Sequence, residues 1–226
     1  MQQLVLDLSR PPAPTLDNFA PGANGEALGV LHAWLSGTLE ERCIYLWGPP
    51  GSGKSHLLRA AVHALQGKGR AAVYASASEV ESLEQPNQLA RVIAVDDVQR
   101  LSEAAQGAVF RLFHRLPEDD VRLLAAGDAA PAGLALRADL RTRLGAGLVF
   151  QLRLLSDEDK ADALRSHALA RGFDLAPELT EYLLRHVRRD LPSLMAVLDA
   201  LDQHSLQTKR TITLPLLREV LQLARS

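Results

Sequence analysis

Among 226 residues there is one cysteine, Cys43. A single thiol excludes a disulfide framework and any multi-cysteine zinc site, and it suits a reducing compartment. An excess of positive charge is also missing. Lys and Arg number 25 against 27 Asp and Glu, for a net charge of -2. A dedicated nucleic-acid binder is expected to be basic, so direct DNA binding is not the expectation. No apolar run approaches the ~18 residues needed to span a bilayer. The N-terminus, Met1-Gln2-Gln3-Leu4-Val5-Leu6-Asp7-Leu8, has neither the basic region nor the long apolar region of a signal peptide. The cytoplasm is the expected location, with no membrane partner.

What is present suits a folded core. Hydrophobic residues make up 47% and charged residues 23% of the chain, the balance of a globular protein. Residues 9–25 hold Pro11, Pro12, Pro14, Pro21, Gly22 and Gly25 and read as a linker behind a short apolar tail. Five short apolar runs follow, separated by helix-length segments: Ile44 to Trp47, Ala72 to Ala75, Val92 to Val95, Arg122 to Ala126 and Leu148 to Leu152. That alternation predicts an α/β fold with a parallel five-stranded sheet and helices on its faces. After Leu155 the strands stop. Ser156 reads as an N-cap before an acidic first turn, and Leu191, Leu194, Leu198 and Leu201 mark one apolar helix face. Residues 155–226 are therefore expected to be a small all-α subdomain of nearly balanced charge.

Residues 48–55, Gly48-Pro49-Pro50-Gly51-Ser52-Gly53-Lys54-Ser55, fit G-x-x-x-x-G-K-[ST] at every position, between a strand-like run and a helical one. The glycines let backbone N–H groups close around phosphate oxygens, and the helix N-terminus adds its positive end. Lys54 is expected to reach the β- and γ-phosphates and Ser55 to ligate Mg²⁺. A second element supports the first: the strand Val92 to Val95 ends in Asp96-Asp97. Asp96 is the candidate to hold Mg²⁺ through water, and Asp97 to orient an attacking water. Asp128, after the fourth strand, is a candidate sensor beside the γ-phosphate or an ordinary turn residue. The histidines do not suggest a metal site. The nearest pair considered, His56 and His63, stands ~10 Å apart along a helix.

The phosphate loop and the His56-Leu57-Leu58 that follows it resemble those of the DnaA-like AAA+ family. Asp96-Asp97-Val98-Gln99 is similar to that family's Asp-Asp-Ile-Gln. Asp17-Asn18-Phe19 with Gly22 and Asn24 is similar to its adenine-side box, and Leu140-Arg141-Thr142-Arg143-Leu144 to its arginine-finger segment. The resemblance implies an AAA+ P-loop core at 15–154 and a helical lid at 155–226, behind a tail and linker at 1–14. It implies ADP or ATP with Mg²⁺ as ligand, with Phe19, Asn24 and His56 joining residues 48–55 at the nucleotide. No room is expected after the lid for a DNA-reading domain. That feature, with Leu155-Ser156-Asp157-Glu158-Asp159-Lys160 and Gln3-Leu4-Val5-Leu6-Asp7-Leu8, resembles the Hda branch, the regulatory inactivators of DnaA.

In that branch the tail docks on the sliding clamp of DNA polymerase, its β subunit. Here Gln3, Leu4, Leu6 and Leu8 are the candidate contacts; an alternating strand on the protein's own sheet is the alternative. Arg143 is the implied arginine finger acting in trans on ATP held by DnaA, with Arg141 competing for the role. DNA is then reached only through the clamp, and self-association is left open. One departure stands out. Pro192 occupies the lid position where the family often has a phosphate-contacting arginine, with Asp190 placed to cap the helix and Arg188 or Arg189 as substitutes. Weak or absent intrinsic ATP hydrolysis is the expectation. The rival reading is an autonomous AAA+ ATPase or a helicase-loader-like protein.

Overall fold

The structure is a computed structural model and describes residues 13–84, 90–118 and 121–223. The chain divides into two units, one of residues 13–154 and one running from Leu155 towards the C-terminus.

The first unit is built on β1 (Cys43–Trp47), β2 (Ala72–Ser76), β3 (Val92–Asp96), β4 (Arg122–Gly127) and β5 (Leu148–Gln151). All four pairings are parallel and the order is β2-β3-β4-β1-β5. Parallel strands need crossovers, and helices supply them. These are α2 (Lys54–Gln66), α3 (Glu103–Glu118) and α4 (Ala138–Ala146), with α1 (Gly25–Ser36) preceding the sheet. Successive side chains alternate between the two faces. Cys43, Tyr45, Ile93, Val95, Leu123 and Ala125 pack with α3 and α4 residues such as Val109, Leu112, Leu140 and Leu144. Ile44, Leu46, Ala94, Leu124 and Ala126 pack on the other face with Leu31, Trp34, Leu57 and Leu58 of α1 and α2. Burial on both faces explains why the strands read as continuous apolar runs rather than alternating ones.

The linker expectation is corrected from Ala13 onward. Thr15 and Asn18 exchange hydrogen bonds between backbone N–H and side-chain oxygen at 2.9 and 3.1 Å. Phe19 and Asn24 are buried. Proline and glycine content describes the shape of this backbone but not its packing.

The second unit is all helical: α5 (Asp157–Ala170), α6 (Pro177–His186), α7 (Leu191–Thr208) and α8 (Leu214–Leu223). Its core contains Leu164, Leu183, Leu194, Leu198, Leu201, Leu216 and Leu217. Ser156 caps α5 through a reciprocal box with Asp159, and Asp190 caps α7 by accepting from the Ser193 N–H at 2.9 Å. Pro192 therefore sits in a first helical turn, where its missing N–H costs nothing. Among the described residues no helix is long and apolar enough to cross a membrane.

Candidate functional site

The phosphate loop joins β1 to α2 and is shaped by three glycines in the left-handed region: Gly48 (φ 154°), Gly51 (φ 83°) and Gly53 (φ 94°). Gly48 has the least freedom to change. A Cβ there would lie 2.2 Å from the Leu152 carbonyl oxygen, which is backbone and cannot swing aside. Gly48→Ala is expected to destabilise the chain by about 1–3 kcal/mol, as overpacking does. Urea unfolding measures this, and an unchanged midpoint would mean that the backbone at Leu152, just after β5, yields freely.

Gly53 occupies the N-cap of α2 and brings no side chain to the first turn, so that turn's N–H groups have no side-chain cap. Lys54 lies back over the loop, and its Nζ donates to the carbonyls of Gly48 at 2.7 Å and Pro49 at 3.0 Å. Burial lowers the affinity of its ammonium for the proton, while Asp96, Asp97 and Asp128 act in the opposite direction. The candidate cation and all three candidate acids thus share one electrostatic environment. The hydroxyl of Ser52 is buried and has no hydrogen-bond partner among the described residues. An orphaned donor and an uncapped helix turn beside a lysine are a cradle for phosphate oxygens. The residues fit a nucleotide polyphosphate, held by the 48–55 backbone, Lys54 and Ser52. Ser55 is exposed on the first turn of α2.

Asp96 ends β3 and is only 3% exposed. Its Oδ2 accepts from the Tyr74 hydroxyl at 2.8 Å and its Oδ1 from the Asp97 N–H at 3.0 Å. Asp97 has φ 54°, a left-handed conformation uncommon outside glycine that turns the chain out of the sheet. Its carboxylate is about half exposed, accepts from Gln99 Nε2 at 3.1 Å and lies 3.8 Å from Arg100. Asp128 is exposed after β4. The turn that carries it is anchored by the buried Tyr45, whose hydroxyl donates to the Ala129 carbonyl at 2.7 Å. Burial and the Asp128 carboxylate both push the Tyr45 hydroxyl far above its usual range, so it remains a donor.

Phe19 lies against Gly53, within 2.6 Å of where a Cβ would stand, and its ring centroid is 5.5 Å from that of His56. His56 Nε2 bonds the Thr15 carbonyl at 2.9 Å, which makes it the protonated nitrogen. Burial lowers the pKa of this imidazole, with the Thr15 bond acting against it. Thus Phe19 and His56 are brought together at the loop. Asn24 bonds across the chain rather than within its own segment. Its amide donates to the Arg153 carbonyl at 3.0 Å and accepts from the Arg153 N–H at 2.7 Å, so it clips the segment before α1 to the chain after β5. Leu154 was not singled out by sequence. It is 55% exposed, and its side chain lies 3.6 Å from the Cβ position of Gly51. An apolar residue just after the last strand was its only signal.

Arg143 lies in the last turn of α4. It is exposed, its guanidinium stands 5.9 Å from the Phe110 ring centroid, and among the described residues it makes no ion pair. Arg141 is half-buried and donates to the Ala132 carbonyl at 3.4 Å. In the second unit Arg188 pairs with Asp190 at 3.3 Å and Arg189 with Asp157 at 3.9 Å, both exposed. The tail candidates Gln3, Leu4, Leu6 and Leu8 lie outside the described residues.

Residues 157–221 match the family model of the Hda lid domain. Residues 29–122, which include the phosphate loop, match that of the nephrocystin 3 N-terminal region. Among solved structures, AMPPCP-bound DnaA from Aquifex aeolicus is similar with a TM-score of 0.70 and 23% identity, over 88% of this chain and 70% of that one. Domain III of Thermotoga maritima DnaA gives 0.75 and 19%, over 93% and 96%. A Thermotoga maritima RuvB variant gives 0.67 and 17%, over 93% and 72%. The fold is thus DnaA-like along most of the chain, and residues 157–221 carry the pattern of the Hda lid domain.

Proposed function

We propose that this chain is a clamp-tethered regulator of replication initiation that binds an adenine nucleotide and stimulates hydrolysis of ATP held by DnaA. The observation that carries this reading is the match of residues 157–221 to the Hda lid domain. An exposed Arg143 without an acidic partner among the described residues supports a role on a neighbouring protein's nucleotide. The chain's own nucleotide has chiefly a structural role, in the cradle of residues 48–55 beside Phe19 and His56. When bound, Mg²⁺ supplies positive charge against the polyphosphate. Ser55 and Asp96 are the residues that would hold it, and Lys54 neutralises phosphate oxygens directly. Asp97 is available to orient water, but Pro192 brings no guanidinium to the lid helix, which fits weak intrinsic turnover. The site of action is the cytoplasm, at the replicating chromosome, and DNA is reached through the clamp.

The test is hydrolysis of DnaA-bound ATP with and without clamp loaded on DNA. Stimulation is expected only with clamp. Replacing Gln3, Leu4 and Leu8 by alanine is expected to abolish capture by the clamp, and the stimulation with it, while nucleotide affinity is unchanged. Robust ATP turnover by the purified chain alone, or undiminished capture of the tail variant, would count against the reading.

A further inference from the structure

Asp96 is the candidate metal-holding carboxylate, and its one hydrogen bond from another side chain among the described residues comes from outside the sequence motifs, from Tyr74. In the β2–β3 ladder Tyr74 stands opposite Ala94 and Ser76 opposite Asp96. Tyr74 and Asp96 are therefore diagonal neighbours on one face, a separation of ~7–8 Å that an aromatic side chain crosses. Tyr74 crosses it, and its hydroxyl reaches Asp96 Oδ2 at 2.8 Å. Arg59, on the exposed side of α2, supports the tyrosine in two ways. Its guanidinium stands 4.3 Å from the ring centroid, and its Nη2 donates to the same hydroxyl oxygen at 3.0 Å. A phenol has one proton. With its oxygen accepting from Arg59, that proton is directed to the carboxylate. The other oxygen, Oδ1, accepts the Asp97 N–H at 3.0 Å. Both oxygens are oriented and each keeps acceptor capacity.

We propose that Tyr74, backed by Arg59, is a positioning residue that presents the Asp96 carboxylate to the hydrated Mg²⁺ of a bound nucleotide. The pair thus sets how strongly nucleotide binding depends on metal. This rests on the nucleotide reading of the phosphate loop. Groups that orient a metal-holding side chain typically contribute ~10–100-fold in metal affinity.

The experiment titrates Mg²⁺ against binding of a fluorescent ADP analogue, and measures the same affinity in EDTA. Tyr74→Phe keeps the ring and deletes only the hydroxyl. The expected result is an Mg²⁺ midpoint raised by about 10-fold or more, with the EDTA affinity within about twofold of wild type. Arg59→Ala is expected to shift the midpoint the same way but less. The double variant should match Tyr74→Phe alone, because Arg59 acts through the tyrosine. A merely structural role would lower both affinities together and make the two substitutions add. An unchanged midpoint in Tyr74→Phe, equal losses with and without metal, or a wild type indifferent to Mg²⁺ each overturns the proposal. Lys54→Ala run alongside keeps the two readings apart. If it binds the analogue like wild type, the nucleotide reading fails; if it loses binding while Tyr74→Phe is unaltered, only the positioning role fails.

Discussion

Lys54→Ala is expected to bind ADP and ATP at least ~30-fold more weakly than wild type, the equivalent of the ~2 kcal/mol of one charge-assisted hydrogen bond. Its ammonium rests on the Gly48 and Pro49 carbonyls at 2.7 and 3.0 Å, within the loop that would enclose a phosphate. Phosphate oxygens entering the loop would compete with those carbonyls for the ammonium. The substitution removes a partly buried cation that three carboxylates face, Asp96, Asp97 and Asp128. Those acids then have no counter-charge when the polyphosphate arrives, so repulsion adds to the lost contact. Lys54→Met retains the apolar stem and should lose binding equally, which assigns the effect to charge rather than packing. Calorimetry of the three proteins, with thermal unfolding to confirm that each is folded, checks this. Equal affinities for wild type and either variant would remove the loop from the nucleotide site.

Arg143→Ala is expected to lose about 10³-fold or more of the stimulation of DnaA-bound ATP hydrolysis, the usual scale for an arginine finger. Folding, ADP affinity and clamp capture should be unaffected. The geometry separates Arg143 from its neighbours on α4. Arg141 is half-buried and bonds the Ala132 carbonyl. Arg137 shares the Phe110 ring, at 5.5 Å from its centroid, but is paired with Asp139 at 2.7 Å. Arg143 rests on that ring with no acid partner among the described residues and projects into solvent. Lysine at 143 should rescue poorly, because an ammonium lacks the planar fork that bridges two phosphoryl oxygens. Arg141→Ala is the control and should remain active. A dead Arg141→Ala beside an active Arg143→Ala would reassign the finger. Full activity in both would end the trans-acting reading.

The parts of this molecule that sequence made legible are those coded locally. A glycine in the left-handed region, a lysine at the start of a helix and a serine that caps one leave a mark within a few residues. The phosphate loop and the Ser156 N-cap are accordingly legible in the sequence, whereas the return bond from Asp159 is not. The strands were visible because a sheet buried on both faces demands uninterrupted apolar runs. Contacts that depend on strand neighbours were not visible. Nothing in Ala72 to Ala75 says that Tyr74 will touch Asp96, since that follows only once β2 and β3 are paired in register. Asn24 reads as part of a nucleotide motif, but its partner is Arg153. The 9–25 segment reads as a linker for the same reason, as the partners of its buried Phe19, Gly53 and His56 among them, are remote in the sequence.

Strand order also governs when the phosphate loop is made during synthesis. The strand that carries it, β1, pairs with β4 through Cys43 and Leu123 and with β5 through Ile44 and Leu148. Neither partner exists until most of the first unit has left the ribosome, and closing so long a stretch of chain is slow. A nascent chain that stops short of β4 therefore holds the complete loop sequence on a strand with two open edges. The clip between Asn24 and Arg153, which closes 129 residues, forms after that. Ligand binding would be coupled to the end of folding rather than its beginning: the nucleotide would be taken up by an almost finished domain and would then hold it shut.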